Sequence, residues 1–256
     1  MIDIYIGYDP KESAAYHVLA HSIIRRASVP VRITPLRQSL LVDEYSRAPD
    51  TRASTEFSLT RFLVPYLSNY TGVSIYMDCD MLMLGNVAAL GHWSSSIFSV
   101  SCVKHDYTSR YQTKMQGQVQ YEYPRKNWSS FMVFDNAACK TLTVPYVNEA
   151  TPAELHRMDW VPGGGVHIGS LSLDWNHLVG EYEDRDAKDL KCLHWTLGGP
   201  WWNSYRNTAY ADLWYAELDS LLHEVEPEDK HATTRLLQNV EAAAFRAGRL
   251  HTATCA

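Results

Sequence analysis

Short apolar runs alternate with amphipathic stretches through the N-terminal third of the chain. Ile2-Asp-Ile-Tyr-Ile6 is β-branched and aromatic and stops at Gly7, which predicts a strand. Residues 12–26 then place Tyr16, Leu19, Ala20 and Ile23 at i, i+3, i+4 and i+7, with Arg25 and Arg26 at the end, the signature of an amphipathic helix. Val31-Arg-Ile-Thr34 predicts a second strand. A further helix is predicted from Ser58, with Leu59, Phe62, Leu63 and Tyr66 on one stripe and Pro65 near its end, and Val73-Ser-Ile-Tyr-Met77 is a third strand. This order implies an α/β domain with a mixed, largely parallel central sheet flanked by helices. Ligands of such sheets bind beyond the carboxyl ends of the strands. Two segments fall there: Gly7-Tyr8-Asp9 and Asp78-Cys79-Asp80.

The pattern changes beyond residue 90. Phe98, Val100 and Cys102 alternate with Ser99 and Ser101, which predicts a half-buried strand over 97–103. Residues 104–127 are polar, aromatic and irregular, as in a long functional loop. Ser130 to Phe134 is another strand, and Pro162-Gly-Gly-Gly165 a flexible turn. Leu218, Leu221, Leu222 and Val225 predict a helix, residues 233–247 another. The expected organisation is a catalytic domain over 1–205 with a helical C-terminal extension, 206–256, packed on it.

Net charge and cysteine usage narrow the classes. A formal charge of -6 and a pI near 6.0 speak against a general nucleic-acid binder, which carries a basic stripe. The five cysteines are scattered, odd in number and without a CxxC pair, which disfavours a disulfide framework or a structural zinc and suits a reducing cytosol. The N-terminus MIDIYIGYDP has no signal-peptide pattern, and no run of about 18 apolar residues occurs, so a cytoplasmic location is expected. The 8 Trp and 16 Tyr admit two accounts: core packing, or a carbohydrate site in which flat rings cover the apolar faces of sugars.

The chemistry concentrates in Tyr76-Met-Asp-Cys-Asp-Met-Leu-Met-Leu84, where two aspartates interrupt an apolar run. Two ionised carboxylates in a dehydrated cleft require a proton or a cation. At a strand end, i and i+2 project to one side, so Asp78 and Asp80 can share one divalent ion, and hard oxygen ligands suit Mg2+ or Mn2+. Asp184-Arg-Asp186 has the same spacing but lies in polar EYEDRDAKDLK, where solvation suffices.

The succession IYIGYDP, SLTRFLVPYL, SIYMDCDMLML resembles the nucleotide-sugar glycosyltransferases of the GT-A fold, most closely the family 8 type that includes bacterial lipopolysaccharide galactosyl- and glucosyltransferases and glycogenin. The resemblance covers roughly residues 2–202. It implies a GT-A, Rossmann-like fold and Mn2+-dependent transfer of a hexose, with retention, from a UDP-sugar to a saccharide or glycolipid acceptor. Carried over by position, Asp78 and Asp80 become metal ligands, the backbone at Cys79 approaches the ribose, Tyr8 and Asp9 the uracil, and Arg61 the sugar or diphosphate. Asn127-Trp-Ser-Ser-Phe-Met-Val-Phe134 resembles the sugar-binding strand, with Ser129 in place of its asparagine. His194-Trp-Thr-Leu-Gly-Gly-Pro-Trp-Trp202 resembles the C-terminal motif that supplies a histidine to the metal, here His194, but no lysine precedes Pro200. Arg61, Lys114 and the Gly198-Gly199 amides are candidates to hold phosphate instead. Asp159 is expected near the reacting carbon. Acceptor contacts are expected from 104–127, from Trp160, Trp201 and Trp202, and from 172–182 with Asn176 and Glu181. A peripheral membrane contact stays open. So do two other functions, a non-catalytic carbohydrate-binding protein with a transferase shell and a sugar-phosphate nucleotidyltransferase.

Overall fold

The structure, a computed structural model, describes residues 1–48, 55–91, 97–109, 111, 113–114, 118–119 and 124–223. Its centre is a six-stranded sheet. β1 (Ile2–Tyr8) lies between β2 (Val31–Arg37) and β3 (Val73–Met77), parallel to both. β8 (Phe131–Asp135) runs antiparallel to β3 on one side and to β5 (Val100–Val103) on the other, and β9 (Ile168–Leu171) closes the sheet parallel to β5. Three of the five pairings are parallel, so the sheet is mixed and largely parallel, as the alternation of elements predicts. The direction of β8 is beyond periodicity, because an apolar run carries no sign of which way its neighbours run, and β9 is not among the expected strands.

Helix α1 (Ser13–Arg26) buries Tyr16, Leu19 and Ile23 as its stripe requires, together with Val18 and Ser22. It packs beside β4 (Met81–Met83), whose Met83 N–H donates to Ser22 Oγ at 3.0 Å. β4 belongs to a second, three-stranded sheet with β11 (Cys192–His194), antiparallel to it, and β10 (His177–Leu178). A two-stranded ladder joins β6 (Thr113–Lys114) and β7 (Gln118–Val119).

Two elements differ from expectation, and the glycine turn does not. The helix predicted from Ser58 is a 3-10 turn, Thr60–Leu63, followed by the single turn α2 (Val64–Leu67) with Pro65 in its first positions. Leu59, Phe62 and Leu63 are nevertheless buried. The strand at 97–103 is not half-buried: β5 is buried at every residue, Ser101 included. Ser101 is admitted because its partner on β9 is Gly169, where a Cβ would lie 2.2 Å from Ser101 Oγ. A serine hydroxyl occupies the space that glycine leaves. The turn after Pro162 is left-handed, at φ +76 and +77 for Gly163 and Gly164.

The chain divides into Met1–Ala211 and Asp212–Ala256. Of the second unit, the described part belongs to the helix Ala211–His223, which contains Leu218, Leu221 and Leu222. Val225, the helix predicted over 233–247 and Cys255 lie outside the described residues, as do the side chain of Lys114 and much of 104–127. Cys79, Cys102, Cys139 and Cys192 are free and buried. No helix among the described residues is long and apolar enough to cross a membrane.

Candidate metal centre

Two registers build the site. Ile6 of β1 pairs with Met77 of β3, so the two strands end side by side and their exits, Gly7-Tyr8-Asp9 and Asp78-Cys79-Asp80, emerge at one edge of the sheet. In the second sheet His194 pairs with Met81, and the Trp195 N–H donates to the Asp80 carbonyl at 2.9 Å. Hydrogen-bonded backbone thus brings a histidine from far along the chain to the second aspartate. Asp78, Asp80 and His194 each offer one ligand atom, all within 4.8 Å of one another.

The geometry between Asp80 and His194 decides what this cluster requires. His194 Nδ1 lies 2.9 Å from Asn176 Oδ1, which only accepts, so Nδ1 carries the ring proton. The amide is held in that orientation by its own Nδ2, which donates to Ser130 Oγ at 2.9 Å, and Ser130 Oγ donates to the Asn127 carbonyl at 2.7 Å. The other ring nitrogen, Nε2, faces Asp80 Oδ1 at 3.2 Å. That oxygen is buried and has no hydrogen-bond partner. A ring nitrogen and two carboxylates thus converge where one cation could be held. One nitrogen and two carboxylates satisfy the donor set of Mn2+ better than that of Mg2+.

Arg61 compensates Asp78 in part. Its Nη1 pairs with Asp78 Oδ1 at 3.0 Å and donates to the Ser129 carbonyl at 2.9 Å, and its guanidinium lies 5.0 Å from the Tyr76 ring centre. The Tyr76 hydroxyl donates to Asp78 Oδ1 at 2.6 Å. Burial still raises the Asp78 carboxyl above its ordinary range, opposed by Arg61 and reinforced by Asp80. Burial, with Arg61 adding to it, pushes His156 down to about 3, so the imidazole against Ser129 Oγ (2.8 Å) is neutral.

The other sequence-predicted residues are placed as follows. Asp9 is buried with both oxygens taken by backbone, Oδ1 by the Lys11 N–H and Oδ2 by the Glu56 N–H. Tyr8 packs edge-on to Tyr16 under the guanidinium of Arg37. Cys79 is buried, and burial holds its thiol far above the usual range. Ser129 is buried with its carbonyl on Arg61. Gly198, at φ +130, gives its N–H to the Trp195 carbonyl, and its flank is closed by Tyr205. Asp159 pairs with Arg157 at 2.8 Å on the surface, and none of its described contacts reaches Asp78, Asp80 or His194. Asn176 is fully buried behind His194 rather than lining a hydroxyl site, while Glu181 accepts from Ser109 Oγ at 2.6 Å.

Sequence reading passed over two residues here. His105 is buried near His194, its Nδ1 2.7 Å from Tyr182 Oη, and burial first, then the neighbouring His194 ring, pushes it down to about 3. Glu12 is buried at 3 % exposure. Its signal was present: it precedes Ala15, Tyr16 and Leu19 by three, four and seven residues, a carboxyl on the apolar stripe. Burial, then Asp80, Asp9 and Asp78, push it up to about 8, and only the Trp201 indole pulls the other way.

No family model matches the sequence. A curated relative does: protein CDI of Arabidopsis thaliana is 41 % identical over 236 residues, 90 % of this chain and 90 % of that protein. The chain belongs to the protein CDI family. Among solved structures this CDI-family chain is similar to the galactosyltransferase LgtC in complex with donor and acceptor sugar analogs, at TM-score 0.53 and 11 % identity over 91 % of this chain and 100 % of that one. GlyE of Streptococcus pneumoniae matches at TM-score 0.57 and 12 % identity over 87 % of this chain, and the bifunctional glycosyltransferase WbbM at 0.53 and 17 % over 84 %. The CDI-family chain spans 62 % of the GlyE chain and about half, 51 %, of the WbbM chain. At these identities the shared property is the fold, that of the GT-A glycosyltransferases.

The Asn176 relay yields a direct prediction. Replacing Asn176 by Leu frees the His194 ring to take either tautomer, and second-layer substitutions of this kind cost metal affinity about 10–100-fold. A Mn2+ titration of Asn176→Leu is expected to show that loss with one site retained. Wild-type affinity in the variant would mean that the relay does not set the ring.

Proposed function

We propose that the chain is a divalent-metal-dependent glycosyltransferase that moves a hexose from a UDP-linked donor to a saccharide or glycolipid acceptor, with retention of the anomeric configuration. The observation that carries the reading is the opposed pair, Asp80 Oδ1 and His194 Nε2 at 3.2 Å with Asp78 beside them, on the edge where the parallel strands end. The GT-A fold supports it, since binding at that edge is general to such sheets.

In glycosyl transfer the leaving nucleoside diphosphate gathers negative charge as the sugar becomes cation-like. A divalent ion held by Asp78, Asp80 and His194 supplies the charge stabilisation that grows with bond breaking. The protein's own contribution is placement. Arg61 and Tyr76 fix the Asp78 carboxylate, and Asn176 fixes the tautomer of His194. Buried Met77, Cys79 and Met81 keep water from behind the carboxylates and so lower the local dielectric. Asp9 acts indirectly: by accepting the Lys11 and Glu56 amides it shapes the first loop, and the nucleoside is expected to meet that loop's backbone and Tyr8.

A thermal-shift screen against UDP-, GDP-, ADP- and CMP-sugars, each with Mn2+ or EDTA, tests the reading through mass action on the native state. Stabilisation by a UDP-sugar that needs Mn2+ is the expected result. A donor that binds without turnover would favour a carbohydrate-binding protein on the same scaffold, and no shift with any nucleotide sugar would remove the transferase reading.

A further inference from the structure

Glu12 has no place in the chemistry above, nor in the ordinary bookkeeping of a fold. It sits at the end of the 3-10 turn Pro10–Glu12 and occupies the N-cap of α1, yet its side chain makes no capping hydrogen bond. It is 3 % exposed, and its Oε2 is buried without a hydrogen-bond partner. Among the described residues no cation pairs with it. A carboxyl in such a position is unfavourable unless something completes it.

Its surroundings indicate what that is. The side-by-side ends of β1 and β3 bring the turn carrying Glu12 against the turn carrying Asp78, Cys79 and Asp80. Of the neighbouring charges Glu12 interacts most strongly with Asp80. The Cys79 thiol, between the two aspartates, feels Glu12 ahead of either. Asp9, the remaining carboxylate at this edge, is already occupied by two backbone amides. Glu12 and Asp80 are therefore the two carboxyls here with an unpartnered buried oxygen. Glu12 nevertheless falls outside the group whose ligand atoms lie within 4.8 Å of one another. It stands at the same edge of the sheet without joining the three groups that can converge on one ion.

We propose that Glu12 is the outer-sphere anchor of the divalent-cation centre, its carboxylate accepting a hydrogen bond from water carried by an ion at Asp78, Asp80 and His194. This rests on the metal reading given above. Glu12 would then be a positioning residue, holding water that the ion carries while Asp78, Asp80 and His194 hold the ion. Divalent ions of this class keep several waters, and an acceptor fixed in a buried turn decides where those waters stand. The Trp201 indole, which favours the ionised form of Glu12, packs its ring where a Cβ of Gly199 would lie. The same carboxylate thereby ties the ion's hydration to the backbone at Gly198-Gly199.

The test uses the full chain and Mn2+ alone. Free aquo-Mn2+ is followed by electron paramagnetic resonance, and exchange of bound water by 17O relaxation, in the wild type and in Asp80→Asn, Glu12→Gln and Glu12→Asp. The expected result is one site in the wild type, none in Asp80→Asn, and in Glu12→Gln an affinity about 10–100-fold weaker with faster exchange of the bound water. Glu12→Asp, which keeps the charge, falls between the two. Should Glu12→Gln fail to fold, Glu12→Asp carries the test by the same two readouts. Wild-type affinity and water exchange in the Glu12 variants overturn this inference alone. Failure of the wild type to bind Mn2+ overturns the metal reading together with it.

Discussion

Asp80→Asn is expected to abolish Mn2+-dependent stabilisation while leaving the metal-free protein at least as stable as the wild type. Loss of a metal-binding mutant is usually ambiguous, because an unfolded protein binds nothing either. Here the two effects have opposite signs. In the wild type, Asp80 Oδ1 stands 3.2 Å from His194 Nε2 beside Asp78, and its charge is felt by Glu12. An asparagine amide can donate to Nε2, a contact worth about 1 kcal/mol, and it removes one charge from the repulsion among the carboxyls. It also removes the anionic ligand, a loss larger than the roughly 10–100-fold that outer-layer changes cost. Saturating Mn2+ stabilises a native-state binder by about 2.7 kcal/mol at 100 times Kd, so wild-type melting is expected to rise with Mn2+ and fall with EDTA. The variant's melting is expected to ignore both. A Mn2+-dependent shift retained in Asp80→Asn would remove Asp80 from the ligand set.

Arg61→Met has the largest expected effect on stability. The side chain is buried, pairs with Asp78 at 3.0 Å, donates to the Ser129 carbonyl and stands over Tyr76. Removing one partner of a buried pair costs about 3–5 kcal/mol, because the other charge is left uncompensated. For a domain of this size that lowers the melting midpoint by roughly 6–20 °C. Arg61→Lys recovers little, since a point charge cannot serve the carboxylate and the carbonyl in a fixed fork. The double variant Arg61→Met with Asp78→Asn is expected to recover part of the loss, and the double-mutant cycle measures the pair itself. Mn2+ is expected to stabilise Arg61→Met more than the wild type, because an ion at Asp78 supplies the missing positive charge. An equal shift in both proteins would show that the arginine and the ion do not serve the same carboxylate.

Much of this architecture could be read from period and composition. Strand β3 spans the run expected for it, α1 begins one residue inside its expected start, and the two aspartates stand at the strand end where their context placed them. What escaped was of two kinds. Direction was hidden, as in β8, because an apolar run carries no sign of which way its neighbours run. So was pairing across long separations. Arg61 invites a reading toward a phosphate, yet Asp78 is 17 residues on, and nothing in a local window joins them. Ser129 likewise serves the fold through its carbonyl, which any residue carries. Asn176 looked like a group for a hydroxyl and is the support of His194, 18 residues away. Glu12 was legible in principle, since a carboxylate on an apolar stripe contradicts the stripe, and such contradictions mark places where a fold serves something other than its own stability.

The reversed strand has one more consequence. β8 is antiparallel to both β3 and β5, so β5 ends, at Val103, on the edge where β3 ends, and β8 begins on that same edge at Phe131. The connection between them leaves from and returns to the rim of the metal centre, anchored by two buried strands whose register it does not set. Lengthening such an excursion costs only a slowly growing closure entropy. Selection can therefore rewrite the middle of this segment, and with it whatever the rim admits, as long as His105 and Asn127, which reach Tyr182 and Ser130, are kept. A chimera that carries a relative's residues between His105 and Asn127 keeps Ser129 on Arg61 and Ser130 on Asn176, and changes only what stands at the rim.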